Sequence, residues 1–322
     1  MTHVLVTGAA GFIGSHLSEA LTARGDTVVG VDNFDPFYPR AEKERNLRKL
    51  GQRASFSFQT LDILDAGAIA RLLTPDTVIV HLAARPGVRP SLADPAGYAR
   101  VNVEGTAAIL RAARDSDVSR IVFGSSSSVY GDDTAAPFRE DATALTPLSP
   151  YAATKRSAEL MLQSLAPIYG FRAAALRFFT VYGPRQRPDL AIHAFARRIL
   201  AGETITLFGD GTQSRDYTYC DDIVAGIIAS VDWTAGAPVG LEIFNLGGNE
   251  PVPLREMVRA LGKALGKEPR IQWAPMQPGD VQHTYADLTK AAAMLGYRPQ
   301  TPFPEGLRKF ASWLEDPDES KR

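Results

Sequence analysis

Three glycines at a fixed spacing, Gly8-Ala-Ala-Gly11-Phe-Ile-Gly14, follow directly on the β-branched run Val4-Leu-Val-Thr. Such a junction is a strand that turns sharply into a helix. Two of the glycines let the backbone turn tightly and approach an anion, and the third lets helix and strand pack closely, with the helix N-terminus facing that anion. Roughly 20 residues further on, Asp32 ends a second β-branched run, where a carboxylate can accept hydrogen bonds from a ribose. Strand, glycines, helix and acid together predict a dinucleotide site. A carboxylate at Asp32 would repel a 2′-phosphate, so the expected cofactor is NAD rather than NADP. Phe12 and Ile13, inside the glycine turn, and Asn33, beside the acid, belong to the expected site.

Short β-branched runs recur at 4–6, 27–31, 55–60, 77–81, 120–123 and 173–176, separated by helical patterns that include 12–24, 95–116 and 150–169. Buried strands alternating with helices predict a parallel sheet covered on both faces, an α/β chain of Rossmann-type, doubly wound architecture. After Phe178 the texture changes to loops rich in Gly, Pro and Arg, with a short helix at 192–200. That suits a smaller C-terminal substrate-binding lobe closing over a cleft. The expected division is 1–180 for the dinucleotide domain, with a helix at 221–231 and a strand at 242–246 returning to it within 217–248, and 181–322 for the substrate lobe.

Composition narrows the partners. The formal net charge is −1, which gives no general pull toward nucleic acid or an anionic membrane, so an anionic ligand must be held by local arginines. The single cysteine, Cys220, excludes an intrachain disulfide and fits a reducing compartment. No apolar run reaches the length of a spanning helix, and a soluble, cytoplasmic protein is expected. The five histidines show no zinc-ligand spacing, and no metal is expected.

Two further stretches fit the cofactor. Asp62-Ile63 follows the third strand, where it can meet adenine, although Asp62 reads equally well as a helix cap for the run that begins near Asp65. His81-Leu82-Ala83-Ala84 ends the fourth strand with small residues that let a cofactor lie close to the backbone, His81 itself being a satisfied core histidine. Tyr151 and Lys155 stand one helical turn apart in Tyr151-Ala-Ala-Thr-Lys155, a geometry in which the ammonium can lower the phenol's pKa. The alternative is a surface pair. Upstream, Gly124-Ser-Ser-Ser-Ser-Val-Tyr-Gly131 carries a run of hydroxyls, either turn formers or donors to a substrate oxygen.

The glycine motif, the serine run ending Val-Tyr-Gly, the Tyr-x-x-x-Lys pair and Arg177-Phe-Phe-Thr-Val-Tyr-Gly-Pro184 together resemble the extended short-chain dehydrogenase/reductases that act on nucleotide sugars. The resemblance covers nearly the whole chain. It implies Ser126, Tyr151 and Lys155 as the catalytic triad, Tyr151 as acid/base and Lys155 on the nicotinamide ribose. It implies contacts from Phe178 and Val181 to the cofactor, and Arg215 on the diphosphate of a UDP-sugar unless that side chain pairs with Asp216 or Asp222. Asn102 resembles an asparagine behind the site, and also reads as a buried amide that bends its helix. A homodimer through helices 95–116 and 150–169 is the family expectation.

Within the family, dehydratases carry an Asp-Glu pair after the triad hydroxyl, and UDP-xylose-forming decarboxylases a glutamate at the second of those positions. This chain has Ser127 and Ser128 there, which counts against dehydration and decarboxylation and favours 4-epimerisation. Arg85-Pro-Gly-Val-Arg89, the 179–189 segment and Met276-Gln-Pro-Gly-Asp280-Val281 resemble the pattern for UDP-glucuronate, with Gln277 where many relatives have arginine. Arg89 and Asp280 are accordingly expected at the substrate. Oxidising C4 of glucuronate makes a β-keto acid that loses CO2 easily. Ser127, Ser128, Thr180 and Arg187 are candidates to clamp its carboxylate, the serines being alternatively bonded to their own turn. A UDP-glucose or UDP-N-acetylglucosamine 4-epimerase, a decarboxylase, and a non-catalytic NAD-binding protein are the competing readings.

Overall fold

The computed structural model describes residues 1–132, 134–143, 145–275 and 282–316. Seven strands form one sheet: β1 His3–Thr7, β2 Thr27–Asp32, β3 Phe56–Thr60, β4 Thr77–His81, β5 Arg120–Ser126, β6 Arg172–Phe178 and β10 Gly240–Leu246. Their order across the sheet is β10-β6-β5-β4-β1-β2-β3. Every pairing among them is parallel. The order reverses between β1 and β4, and at such a switch point the following loops diverge and leave a crevice beyond the carboxyl ends of the strands. The expected doubly wound α/β sheet is the one observed.

The strands are apolar along their length because both faces are covered. On one face, helices Phe12–Arg24 and Cys220–Trp233 pack on Val4, Val6, Val78, Val122 and Leu176. On the other, helices Gly105–Asp115 and Pro150–Tyr169 pack on Leu5, Ile79, Ile121 and Ala173. Gly25 in the left-handed region ends the first helix, and Ser149, whose hydroxyl accepts from the Ala152 N–H, starts the Tyr151 helix.

Two differences from the sequence reading bear on the site. The helix expected over 95–116 is interrupted: Pro95–Ala99 and Gly105–Asp115 flank a π-turn at Arg100–Glu104. Asn102 sits in that turn and its amide holds both the N–H and the C=O of Arg85, at 2.7 and 3.1 Å. Asn102 is buried, and its amide nitrogen also donates to Thr154 Oγ1 at 3.0 Å. Strand β5, expected to stop at Phe123, continues to Ser126 because Gly124, Ser125 and Ser126 pair with Leu176, Arg177 and Phe178 of β6.

The remaining strands are short: β7 Thr180–Tyr182, β8 Thr204–Phe208, β9 Ser214–Tyr219, β11 Pro251–Pro253 and β12 Arg270–Ala274. They make the sheets β11-β9-β7 and β12-β8. With helices Ala191–Ala201, Leu254–Ala264 and Phe303–Glu315 they surround a third hydrophobic cluster that includes Tyr182, Ile205, Met257 and Phe310.

A methyl group on Gly14 would overlap the Gly8 carbonyl, so that glycine sets the distance between the first helix and β1. Gly14→Ala is expected to lower unfolding stability by about 1–3 kcal/mol through overpacking, read as a shift of the urea midpoint at unchanged slope.

Candidate active site

A cavity opens at the switch point, over the ends of β1, β2, β4 and β5. Gly8, Gly11, Phe12, Ile13 and Gly14 form its floor; Asp32, Asn33 and Ile63 line one end, Leu82, Ala83 and Ala84 the middle, and Tyr151, Lys155 and Phe178 the other end. Fourteen of the sixteen residues expected at the cofactor thus surround one space. The floor is built for close approach. Gly8 has φ +72°, and a Cβ there would lie 2.9 Å from the Ala83 nitrogen. At the other end, a Cβ on Gly124 would press on Leu82 and on the Phe178 ring, closing the passage beside β5.

Two expected residues stand apart from this cavity. Asp62 accepts from the Leu64 N–H and from Asn33 Nδ2, while the cap of helix Ala66–Ala70 is Asp65. Val181 is half-buried and packs against the first and third hydrophobic clusters.

The lining also includes Asp35, Phe37, Tyr38 and Lys43, which were not read from the sequence. The segment after β2 is built from consecutive turns in which Asp32, Asn33 and Asp35 each accept from the backbone N–H two residues on. Lys43 reaches back to within 3.6 Å of Asp32 Oδ1 and donates to the Asp35 carbonyl. The acidic and aromatic run Asp32-Asn-Phe-Asp-Pro-Phe-Tyr38 was the available signal. Its closure over the cleft is tertiary.

At the reacting end, Ser126 ends β5 and its hydroxyl accepts from the Ser128 N–H and donates to Ser128 Oγ, both at 3.2 Å. The Ser126 hydroxyl thus takes up one backbone N–H of the turn that follows β5. Lys155 is buried and its ammonium donates to the Gly124 carbonyl at 2.7 Å. Burial pushes this amine down to about 8, and the Glu159 carboxylate one turn along opposes that shift. The Tyr151 phenol behaves differently from the sequence expectation. Burial pushes it above its ordinary value, and the groups that pull it down are the Ser126 hydroxyl and the Arg187 guanidinium.

Of the substrate candidates, Arg187 lines the cavity at this end. Ser127 and Ser128 form a tight turn after β5, and Thr180 opens β7, opposite Tyr217. Arg187 bonds Asp189 at 2.8 Å and lies over the Phe37 ring. Arg89 stands over the Phe208 ring at 5.5 Å. Arg215 donates to the carbonyls of Ser214 and Gln282, while Asp216 and Asp222 accept backbone N–H groups of Gly248, Ala286, Gln300 and Thr301. Gln277 and Asp280 lie outside the described residues. His16, Cys220 and Asp221 bring a potential metal ligand each within 4.8 Å of one another, a grouping no sequence spacing announced; His16 Nε2 is held by the Pro184 carbonyl.

The fold and this cavity define a dinucleotide-binding α/β protein with a Ser-Tyr-Lys set at one end. Residues 4–247 match the NAD dependent epimerase/dehydratase family, and the chain belongs to that family. It is 39% identical over 319 residues to the UDP-glucuronate 4-epimerase of Thermodesulfobacterium geofontis, covering 98% of this chain and 97% of that one. It is 42% identical over 327 residues to UDP-glucuronate 4-epimerase 3 of Arabidopsis thaliana, covering 96% and 76%. Among solved structures, the UDP-glucuronic acid 4-epimerase of Bacillus cereus, in complex with UDP-glucuronic acid and NAD, superposes with a TM-score of 0.91 at 37% identity, over 98% of this chain and 99% of that one.

His81 supports the floor from below. Its ring joins Thr7 Oγ1 at 2.7 Å and Thr106 Oγ1 at 3.2 Å, and Thr7 Oγ1 accepts the N–H groups of Leu82 and Ala83. Burial, helped by the Lys155 charge, pushes the imidazole down to about 3 from 6.5. The unfolded chain therefore binds this proton more readily. The stabilisation is fully present above about pH 6.5 and is lost as the pH falls through about 3, at about 1.4 kcal/mol per pH unit in that window. Urea titrations across pH 3–7 should show this slope in the wild type and a shallower one in His81→Asn.

Proposed function

We propose that the chain is an NAD-dependent 4-epimerase that interconverts UDP-glucuronate and UDP-galacturonate with no net consumption of NAD. The observation that carries the reading is the likeness over nearly the full length of both chains to an enzyme solved with UDP-glucuronic acid and NAD, joined to a cavity in which the glycine floor, Tyr151 and Lys155 face one space. The glycine floor fits a pyrophosphate, since it keeps side chains out of a narrow passage at a helix N-terminus. Bound there, NAD supplies a hydride acceptor and donor for C4 of the sugar. Asp32 and Asn33 would receive the adenosine ribose, with Asp32 favouring NAD over NADP. Lys43 tempers that preference by lying beside the same carboxylate.

Tyr151 then serves as the acid/base. It takes the C4 hydroxyl proton as the hydride leaves, and returns a proton once the 4-keto sugar has turned its other face. Ser126 holds the C4 oxygen, and Arg187 together with Ser126 lowers the cost of the phenolate in a buried site. Lys155 seats on the nicotinamide ribose while anchored to the end of β5. Arg89 and Arg215 supply local positive charge for the diphosphate and the base-bearing half of the substrate, as a chain of net charge −1 requires.

Glucuronate adds a hazard, because its 4-keto form is a β-keto acid. Ser127, Ser128, Thr180 and Arg187 would clamp the carboxylate so that its bond to C5 stays out of line with the carbonyl π orbitals. The turn after β5 offers hydroxyls at that place and no carboxyl group that could supply a proton. We also propose a homodimer through the Tyr151 helix and its neighbours. Leu160 and Ile168 on that helix are 48% and 70% exposed, and burying them against a second copy would remove them from water. Among the described residues no helix is long and apolar enough to cross a membrane, and a cytoplasmic site of action is part of the proposal.

Incubation with UDP-glucuronate, UDP-glucose and UDP-N-acetylglucosamine, followed by proton NMR of the anomeric signals, tests the reading. UDP-galacturonate should appear from the first, without UDP-xylose. Tyr151→Phe should retain bound NAD and lose about 10²–10⁴-fold in kcat. Turnover of the other two sugars alone would overturn the choice of glucuronate. For the clamp, Ser128→Ala combined with Thr180→Val should release CO2 from UDP-glucuronate above the wild-type rate, and equal CO2 release by both proteins would refute it.

A further inference from the structure

Beneath the reacting end lies a buried carboxylate that the chemistry above does not use. Glu159 is fully buried one helical turn beyond Lys155, and it accepts from three segments at once. Arg177 Nε and Nη2 donate to its two oxygens at 3.0 and 2.9 Å, Ser125 Oγ donates at 2.6 Å, and Arg156 Nη1 at 2.9 Å. Each segment carries part of the site. Ser125 lies between Gly124, whose carbonyl holds the Lys155 ammonium, and Ser126. Arg177 immediately precedes Phe178, which lines the cavity. Glu159 itself rides on the helix that presents Tyr151 and Lys155.

We propose that Glu159, clamped by Arg177, is a positioning residue for Lys155. It fixes the ends of β5 and β6 against the Tyr151 helix, and it supplies the negative charge that keeps the ammonium seated on the Gly124 carbonyl. The assignment of Lys155 to the reaction rests on the epimerase reading; the placement of Glu159 does not.

The surroundings leave Glu159 as the source of that charge. From β4, His81 faces the ammonium as a neutral imidazole. From β5 come the Gly124 carbonyl, the Ser125 hydroxyl and the Phe123 ring, whose centroid lies 5.0 Å from Nζ. From β6 the charged group is Arg177, a cation, packed over the Tyr130 ring at 4.6 Å. On the helix itself are Tyr151, Arg156 and Glu159, and from the loop after β7 comes Arg187, also a cation. Burial works against the Glu159 charge, but its bonds to Arg177, Ser125 and Arg156 hold the carboxyl below its ordinary value. It is therefore ionised wherever the amine titrates.

The test uses the full-length, NAD-loaded protein. Glu159→Gln keeps the shape and removes the charge; Glu159→Gln with Arg177→Met removes both charges, so that no cation is left buried and unpaired. Two readouts are taken: kcat and KM for UDP-glucuronate, and the titration midpoint of the Lys155 amine by NMR of ¹⁵N-lysine-labelled protein, assigned by its absence in Lys155→Met. Expected in Glu159→Gln are a fall in kcat of about tenfold at a KM within about twofold of wild type and a midpoint lowered by about one pH unit; the double variant, which also loses a cation, should show the fall in kcat with a smaller shift. Folded variants with wild-type kcat and an unmoved midpoint would overturn the proposal. Should both charge variants fail to fold, Ser125→Ala, which leaves the ion pair intact, is read in the same way: a drop in kcat of about threefold supports the role, and wild-type behaviour refutes it. If the wild type turns over no UDP-sugar, the epimerase reading fails, and the midpoint alone decides the role of Glu159.

Discussion

The close approach of the first helix to β1 is the constraint on which the rest of the molecule depends. It is possible only because Gly14 has no side chain to meet the Gly8 carbonyl. That contact aims the helix N-terminus into the crevice between β1 and β4, and Gly8 and Ala83 complete a passage too narrow for any added Cβ. Everything reactive is then placed by its distance along the strands from this point. β5 and β6 run past the end of β4 to deliver Ser126 and Phe178, and the Tyr151 helix packs against them.

Charge is handled by separation. A buried imidazole and a buried ammonium lie close together, and the conflict is resolved by keeping His81 neutral between two threonine hydroxyls while Lys155 leans on a backbone carbonyl. The same pattern is visible one layer down, where a carboxylate and a guanidinium satisfy each other in the interior. Such a pair costs desolvation energy that its attraction offsets only with good geometry, and here both guanidinium contacts are near 3 Å. The Glu159 and Arg177 charges thus offset each other in the interior, while Arg187 is paired with an exposed aspartate.

The sheet and most of the cofactor floor were legible in the sequence because they follow local rules. Buried parallel strands read as apolar runs, and glycines at a strand-to-helix junction have few other uses. What was not legible depends on direction and closure. Asp62 and Val181 sit in the right segments, but Asp62 is engaged by the Leu64 N–H and the Asn33 amide, and Val181 packs against two hydrophobic clusters. Lys43 and Phe37 reach the cavity only because the loop after β2 folds back over it. Glu159 could be placed beside Lys155 from helical spacing, but its partner Arg177 is brought there by the register of β5 with β6, which no local pattern encodes. The rise in the Tyr151 pKa was missed for a related reason. The sequence puts phenol and ammonium on one helix face, but the cost of burying the phenol depends on what covers it.

A phenol pushed upward by burial stays protonated at neutral pH, and forms its phenolate more readily as positive charge is brought beside it. The Arg187 guanidinium supplies such charge in this structure, and an oxidised nicotinamide ring would supply more if NAD were bound in the cavity. Proton removal from the substrate would then be easiest when the cofactor is in the state that can take a hydride, and hardest when it is not. Acid/base strength and oxidation state would be linked through a single buried oxygen, which is what a reaction that must give back the same hydride requires.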